Sequence, residues 1–438
     1  MMRSMYSGVS GLRIHQTRMD VIGNNIANVN TTGFKSGRVT FNEIFSQTLQ
    51  GASGANDSIG GRNPMQVGLG ANISSIDTLM TEGAAQRTDN PLDMKIEGDG
   101  FFIVKDGGGF KFSRAGAFRL DNSGNLCNPE GLNVMGWGID PKTGNVVKDK
   151  VKSIKILSPE NMYSEPTKTS KANFSGNINK NDPNLKKPEG ILVSFSIYDS
   201  MGYKYTVNAR IKPVVKANAG DPDKYSISVD PGSGIKDENG NNISCDDPNT
   251  TIEFDENGKI HTPNPAELTL KNIDSTNKKV AADFDDIKID LSNLTQIGGK
   301  TTVEGKAGDL DKLEAGSPAG KLTSFEIGTD GKILAKYSNS KTKTLGQIAV
   351  AKFQNPAGLQ KVGNNLFQVT SNSGEFDGIG KAVNEDGGSL NGGVLEMSNV
   401  DLSREFTDMI TTQRGFQANS RIITASDEML QELVNLKR

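Results

Sequence analysis

Apolar positions follow two different rhythms along the chain. Toward the N-terminus, Met5, Val9, Leu12, Met19 and Ile26 recur at three- and four-residue steps, with Gln16 and Gly23 filling the remaining stripe positions. This predicts an amphipathic helix that stops at Asn28-Val29-Asn30-Thr31-Thr32-Gly33, a run of turn formers. Toward the C-terminus the pattern is longer. Ser398-x-x-Asp401 reads as a helix start. Leu402, Phe406, Met409, Phe416, Ile423 and Leu430 then follow a heptad-like stripe, widened by Ile410, Ile422, Met429, Leu433 and Leu436 and interrupted by Gln413, Ser420 and Asp427. A helix over residues 399–437 would be roughly 60 Å long at 1.5 Å per residue. A stripe of that length cannot bury itself, so it must meet the N-terminal helix, other subunits, or both.

Between the ends the rhythm changes to alternation. Short apolar runs at Met94–Ile96, Phe101–Val104, Phe110–Phe112 and Ala117–Leu120 are separated by glycine-rich turns at 98–100, 106–109 and 121–124. Ile191, Val193, Phe195 and Ile197 alternate with polar residues, as do Tyr203, Tyr205, Val207, Ala209 and Ile211; Asp199-Ser200-Met201-Gly202 joins them into a hairpin. A second hairpin is expected from Phe325–Ile327 and Ile333–Tyr337 around Gly328–Gly331. Further strands are expected at Tyr225–Val229, Thr251–Phe254 and Ile287–Leu291. Proline supports this division. All of it lies between Pro64 and Pro356, so long helices are confined to the two ends.

If the two ends pair, the β domains are nested between them, each built from an outgoing and a returning segment. The expected fold class is α+β, mainly β, with nested discontinuous β domains and terminal helices forming a coiled-coil-like assembly domain. The expected boundaries are 1–33 with 395–438 for the helical domain and 34–70 with 371–394 for connectors. An inner β domain takes 71–145 with 321–370, and an outer β region, of one or two domains, takes 146–320. Glycines 51, 54, 60 and 61 in the first connector, and 387, 388, 392 and 393 in the second, supply conformational freedom.

Composition narrows the function. In 438 residues only 34% are hydrophobic, there is one Trp, and Gly reaches 50, which describes a polar, turn-rich chain rather than a compact enzyme. The net charge of -3 gives no basic excess, so no nucleic-acid partner is expected. No run approaches the length of a membrane span, so no membrane insertion is expected, and the first residues lack the features of a cleaved leader. Cys127 and Cys245 lie far apart without a C-x-x-C, which argues for thiols rather than a disulfide or zinc site.

A search for catalysis returns little. His15 falls on the N-terminal helix and His261 before Pro263; each reads as a solvated histidine. Neither G-x-S-x-G nor a P-loop occurs. Gly98-Asp99-Gly100 and Gly107-Gly108-Gly109 do not open helices, so they read as turns rather than phosphate cradles. Asp237-Glu238-Asn239-Gly240-Asn241 departs from a calcium loop at Asn242 and Pro248 and reads as a solvated loop. Asp246-Asp247 and the cluster Asp283, Asp285 and Asp286 read as solvated faces. No catalytic residue, cofactor or metal is expected.

The stretch from Met19 to Lys35, with Asn24, Asn25, Ala27, Asn28, Gly33 and Phe34, resembles the flagellar rod and hook family of axial proteins. The stretch from Leu395 to Leu402, with Asn399 and Asp401, and then Gln413-Arg414, Asn419 and Leu436-Lys437-Arg438, is similar to the other end of that family. Gly98–Val104, Ser113–Phe118, Ala351–Leu359 and Gly363–Phe367 resemble its inner β domain. Rod subunits lack a large outer insertion, whereas Val193–Gly202 and Leu294-Thr295-Gln296 resemble the outer domain of the hook branch.

The resemblance implies a homopolymer of many copies, forming a curved, flexible hollow tube outside the cell that transmits torque. Its implied partners are the distal rod below, the hook–filament junction protein above, a hook cap during assembly, and the flagellar type III export apparatus. The terminal helices would be mobile in the monomer and would fold as stacked subunits supply neighbours. The residues expected in the buried assembly stripe are Met5, Val9, Leu12, Met19, Ile26, Leu402, Phe406, Met409, Phe416, Ile423, Leu430 and Leu433. The alternative within the family is a distal rod or other axial subunit. From outside it, a β-rich adhesin or carbohydrate-binding module would leave both terminal stripes unexplained.

Overall fold

The computed structural model describes residues 2–54, 60–140, 143–185, 187–215, 223–230, 233–246, 249–263, 266–273, 284–309, 311 and 313–436. Asp247, Pro248, Asp283, Lys437 and Arg438, named above, lie outside the described residues. The fold is mainly β, with one helix at each end, as the alternation and the two stripes predict. Two compact units emerge, both discontinuous. One comprises Met1–Ser158, Phe325–Ala335 and Lys343–Arg438; the other comprises Pro159–Ser324 and Lys336–Thr342.

The first unit contains helix α1 (Met2–Ala27) and helix α2 (Leu402–Asn435). Asp401 rather than Ser398 caps α2: its carboxylate accepts from the amides of Ser403 and Arg404. It thereby satisfies donors that a helix start otherwise leaves orphaned. Ser398 stands in extended chain before the helix. After α1 the chain passes through Gly33, at φ +69, where a Cβ would come within 2.6 Å of the Ala115 amide nitrogen. Only glycine fits that backbone approach.

Residues 34–70, expected as a connector, contain paired strands. Strand Gly37–Glu43 pairs antiparallel with Ala71–Thr78, and Ser46–Gln50 with Met65–Gly68. Gly51, Gly54 and Gly60 have open space around them. The returning segment is likewise paired: Ser389–Gly392 adds to Met94–Glu97, and Val394–Glu396 to Ala85–Arg87.

The β core of this unit is built on strand Phe101–Asp106. It pairs with Gly109–Ser113, with Asn133–Trp137 and with Val350–Ala351. Leu366–Gln368 pairs with Gly109–Ser113. Phe101, Phe112, Met135, Trp137 and Phe367 fill the interior. Phe112 meets Phe353 and Phe376 edge-on, at 4.8 and 5.3 Å between ring centroids. Such edge-to-face pairs add to simple area burial.

The second unit contains a four-stranded and a seven-stranded sheet. In the first, Lys171–Asn177 runs parallel to Ile287–Thr295. In the second, Ile191–Tyr198 and Lys204–Pro213 form the expected hairpin in unbroken register. Asp199 shapes its turn, accepting from the amides of Met201 and Tyr203 and from the Tyr205 hydroxyl. Both sheets share one core that includes Phe174, Phe195, Val207, Ile227 and Leu291. The carboxylate of Asp237, the first residue of the calcium-like loop, is occupied by its own turn. It accepts from the amides of Asn239 and Asn241 and from the Asn241 side chain. Those bonds hold its carboxyl below the ordinary value.

Candidate assembly interface

Helices α1 and α2 pack antiparallel. The Ser4 and Ser426 hydroxyls are 3.4 Å apart, Arg18 pairs with Asp408 at 3.0 Å, and the Asn25 amide donates to Glu405 at 3.1 Å. Their shared face is rich in small and polar residues, with Ile22 of α1 buried in it and Ile423 of α2 set against Gly8. A Cβ on Gly11 would lie 2.6 Å from the Asn419 side chain, and one on Gly415 would lie 2.7 Å from the His15 ring. Gly8, Gly11, Ile14, Ile22 and Asn25 are the buried residues of α1; Thr412 and Ser426 are those of α2. The positions 4, 8, 11, 15, 18, 22 and 25 thus form a heptad-like face of their own, missed by a search for large apolar residues. The signal available was the glycine spacing at 8, 11 and 415.

Most of the predicted assembly stripe lies beside that face, whereas Ile423 meets it at Gly8, where a Cβ would lie 3.2 Å from its Cγ1. Each helical residue turns the side chain by about 100°, so a one-residue offset moves it to a flank. Val9 is 47% exposed, Leu402 38%, Phe406 50% and Leu433 49%. Met5, Leu12, Met19, Ile26, Met409, Phe416, Ile423 and Leu430 are half-buried. Toward its C-terminus α2 carries an open groove lined by Ala425, Met429, Leu433 and Leu436, with Glu428 and Glu432 beside them. Contiguous apolar surface of this kind marks an interaction face.

The family-motif residues act mainly where the helices join the β structure. Asn25 is buried, donating to the Gly37 carbonyl and accepting from the Gly37 amide, each at 2.9 Å. Asn24 and Asn28 bond to one another at the helix end. Asn399 accepts from the Ser36 amide and donates to the Leu79 carbonyl and the Thr81 hydroxyl. Phe34 lies under the Lys361 ammonium, 4.8 Å from ring centroid to nitrogen. Asn419 donates to the Gly415 carbonyl. Ala27, Gln413 and Arg414 are exposed.

Beneath these lies a buried ionic cluster. Lys35 Nζ is 2.6 Å from Glu396 Oε1 and donates to the Thr81 carbonyl at 2.7 Å. The Gly83 amide donates to the same carboxylate oxygen. Arg114 stands 3.7 Å from the other oxygen, its guanidinium over the Phe101 ring. Burial pushes the Lys35 ammonium down, and Glu396 opposes that shift.

Sequence comparison covers the same parts. The family described as "Flagella basal body rod protein" matches residues 5–35, and "Flagellar basal body rod FlgEFG protein C-terminal" matches 391–436. "Flagellar hook protein FlgE/F/G D1 domain" matches 95–164, and "Flagellar basal body protein FlaE D2 domain" matches 168–309. The flagellar hook protein FlgE of Borreliella burgdorferi is 39% identical over the full length of both chains. The chain belongs to the flagellar hook protein family. The flagellar hook protein FlgE of Treponema pallidum is 36% identical, again over both full lengths. The flagellar basal-body rod protein FlgG of Bacillus subtilis is 31% identical over the full length of both chains. The family is one of structural flagellar proteins that form axial structures.

Proposed function

We propose that the chain is the structural subunit of a bacterial flagellar hook, acting without catalysis. It polymerises through α1 and α2 into a curved hollow tube that passes torque from the distal rod to the filament. The supporting observation is the helix pair itself. Its internal contact is rich in glycines and polar residues and leaves Leu402, Phe406, Ile410, Met429 and Leu433 of α2 exposed. In the polymer, neighbouring copies cover Leu402, Phe406, Leu433 and the rest of the stripe, forming an inner tube from 1–33 with 395–438. Residues 71–145 with 321–370 form the next layer, and 146–320 the outer one. A polar outer layer suits sliding contacts in a joint that bends as it turns. The distal rod, the hook–filament junction protein, the hook cap and the flagellar type III export apparatus are its partners on this reading.

The rod subunit is the second reading, favoured by the Bacillus subtilis relative. The match at 168–309 to a D2 domain favours the hook. Electron microscopy of purified protein under salting-out conditions separates them. Curved, flexible tubes support the hook; straight, stiff tubes support the rod; no tubes, with cap protein added, count against both.

A further inference from the structure

We propose that Asn239 is a site of spontaneous covalent modification, converting to aspartate and isoaspartate while the second unit stays folded. The inference concerns that unit alone and stands apart from the reading of the polymer. Asn-Gly places a side-chain amide next to a main-chain nitrogen that no following side chain shields. It occurs at 239–240 and 257–258 in the second unit, and at 391–392 in the first.

The chemistry needs only water. The Gly240 nitrogen attacks Cγ of Asn239 and gives up its proton to solvent. The bond from Cγ to the side-chain nitrogen breaks, ammonia leaves, and a cyclic imide closes. Water then adds to one of the two imide carbonyls and breaks its bond to nitrogen. One opening leaves Asp at 239; the other leaves isoaspartate, with the main chain rerouted through Cβ. The net exchange is water in and ammonia out.

The two sites of the second unit are twins in sequence and in local structure. Asp237-Glu238-Asn239-Gly240 and Asp255-Glu256-Asn257-Gly258 have the same four residues in the same order. Asp237 accepts from the amides of Asn239 and Asn241 at 2.9 and 2.7 Å; Asp255 accepts from those of Asn257 and Lys259 at 2.9 and 2.8 Å. The Gly240 amide donates to the Asp237 carbonyl at 3.1 Å, and the Gly258 amide to the Asp255 carbonyl at 3.0 Å. Both glycines are left-handed, at φ +80 and +74.

Their surroundings differ. Attack requires the glycine amide to leave its carbonyl and the chain to turn about the asparagine, carrying the glycine with it. Asn239 and Gly240 are exposed, and a Cβ on Gly240 would meet nothing within 4 Å. Gly258 is buried, and a Cβ there would strike the Gln296 carbonyl. The Gly258 carbonyl also accepts from the Gln296 amide at 2.8 Å, and Lys259 bridges to Thr295 at the end of strand Ile287–Thr295. Gln296 is itself held through its side chain by the Tyr225 hydroxyl. Opening the turn at 257 must therefore break a tertiary hydrogen bond that the turn at 239 does not have.

Conversion at 239 adds a carboxylate beside Asp237 and Glu238. The iso form also lengthens the main chain inside the turn that joins Ile235–Asp237 to Asn242–Ile243.

The test incubates the full chain in mildly alkaline buffer, folded and in guanidinium, and follows both Asn-Gly peptides by mass spectrometry. In the folded chain Asn239 is expected to convert about tenfold or more faster than Asn257, the ratio set by one additional buried hydrogen bond. In guanidinium the two rates should agree within about twofold, because tertiary contacts are gone and the neighbouring residues match. Labelling by an isoaspartyl methyltransferase should mark the iso product in the parent chain and fall away at this peptide in Asn239→Gln. Absence of conversion at Asn239, a folded rate at Asn257 equal to or above it, or the same ratio in guanidinium as in the folded chain overturns the proposal.

Discussion

Lys35 and Glu396, 361 residues apart in the chain, form an ion pair of 2.6 Å with almost no solvent exposure. The pair ties the chain leaving α1 to the chain entering α2. Gly33 reinforces it, its amide donating to the Glu396 carbonyl at 2.8 Å. The two ends of the molecule are thus joined beneath the helices by charge rather than by apolar packing alone.

Losing either partner leaves a buried charge unmatched, which typically costs about 3–5 kcal/mol. The two losses are unequal here. Lys35→Met leaves Glu396 with the Gly83 amide and with Arg114 nearby. Glu396→Gln leaves both Lys35 and Arg114 buried without their leading counter-charge, with only the weaker influence of Glu82 on both and of Asp99 on Arg114. Chemical unfolding of the first unit should therefore rank Glu396→Gln below Lys35→Met, with both below the parent chain. The double variant should lose less than the sum of the two.

Two glycines of α1 should respond in opposite directions. Gly23 has open space around it, so Gly23→Ala should stabilise the helix by about 1 kcal/mol through propensity. Gly11 faces Asn419 across the helix contact, so Gly11→Leu should cost about 1–3 kcal/mol despite a better helix former. Thermal melts followed by the helical circular dichroism signal check both, with the β signal as internal control.

The same contrast marks what the sequence made legible. Both helices, the hairpin at Asp199 and the strands at Phe101, Tyr225 and Ile287 follow from periodicity and turn residues, which act locally. The identity of the contacting helix faces does not. Apolar periodicity found the stripe containing Phe406 and Leu430, but α1 meets α2 through Gly8, Gly11, Gly415 and Ser426, where backbone approach decides the packing. The Lys35–Glu396–Arg114 cluster was present as three separate motif fragments, and nothing local reveals that they converge. The pairing of Gly37–Glu43 with Ala71–Thr78 was not legible either, because it depends on cross-strand register.

In the second unit, the Tyr225 hydroxyl accepts from Gln296 at 2.7 Å, and burial, aided by Asp223, pushes its phenol up to about 12. The unfolded phenol ionises near 10. The unfolded chain therefore loses the proton first, and the contribution of Tyr225 to stability, full below pH 10, declines as pH rises toward 12. Tyr225→Phe should flatten that slope and cost about 1 kcal/mol at neutral pH for the lost hydrogen bond. A phenolate absorbance titration with unfolding midpoints across the alkaline range reads both effects.

The exposed stripe on α2 should matter to the polymer and not to the single chain. Phe406 and Ile410 are half or more exposed, and neither lies on the face shared with α1. Replacing both with Ser removes apolar area that is already in water in the isolated subunit, so the unfolding midpoint should move little. In the polymer the same residues would be covered, and each fully buried large side chain is worth about 1.5–3 kcal/mol relative to exposure. Because every copy carries the change, the loss repeats at each contact, and the concentration needed for tube formation should rise about tenfold or more per subunit interface. Sedimentation of the double variant beside the parent chain, with circular dichroism on the same samples, measures both quantities. A lost helix signal would move the defect into the monomer, and unchanged sedimentation would place the assembly face elsewhere on the helix pair.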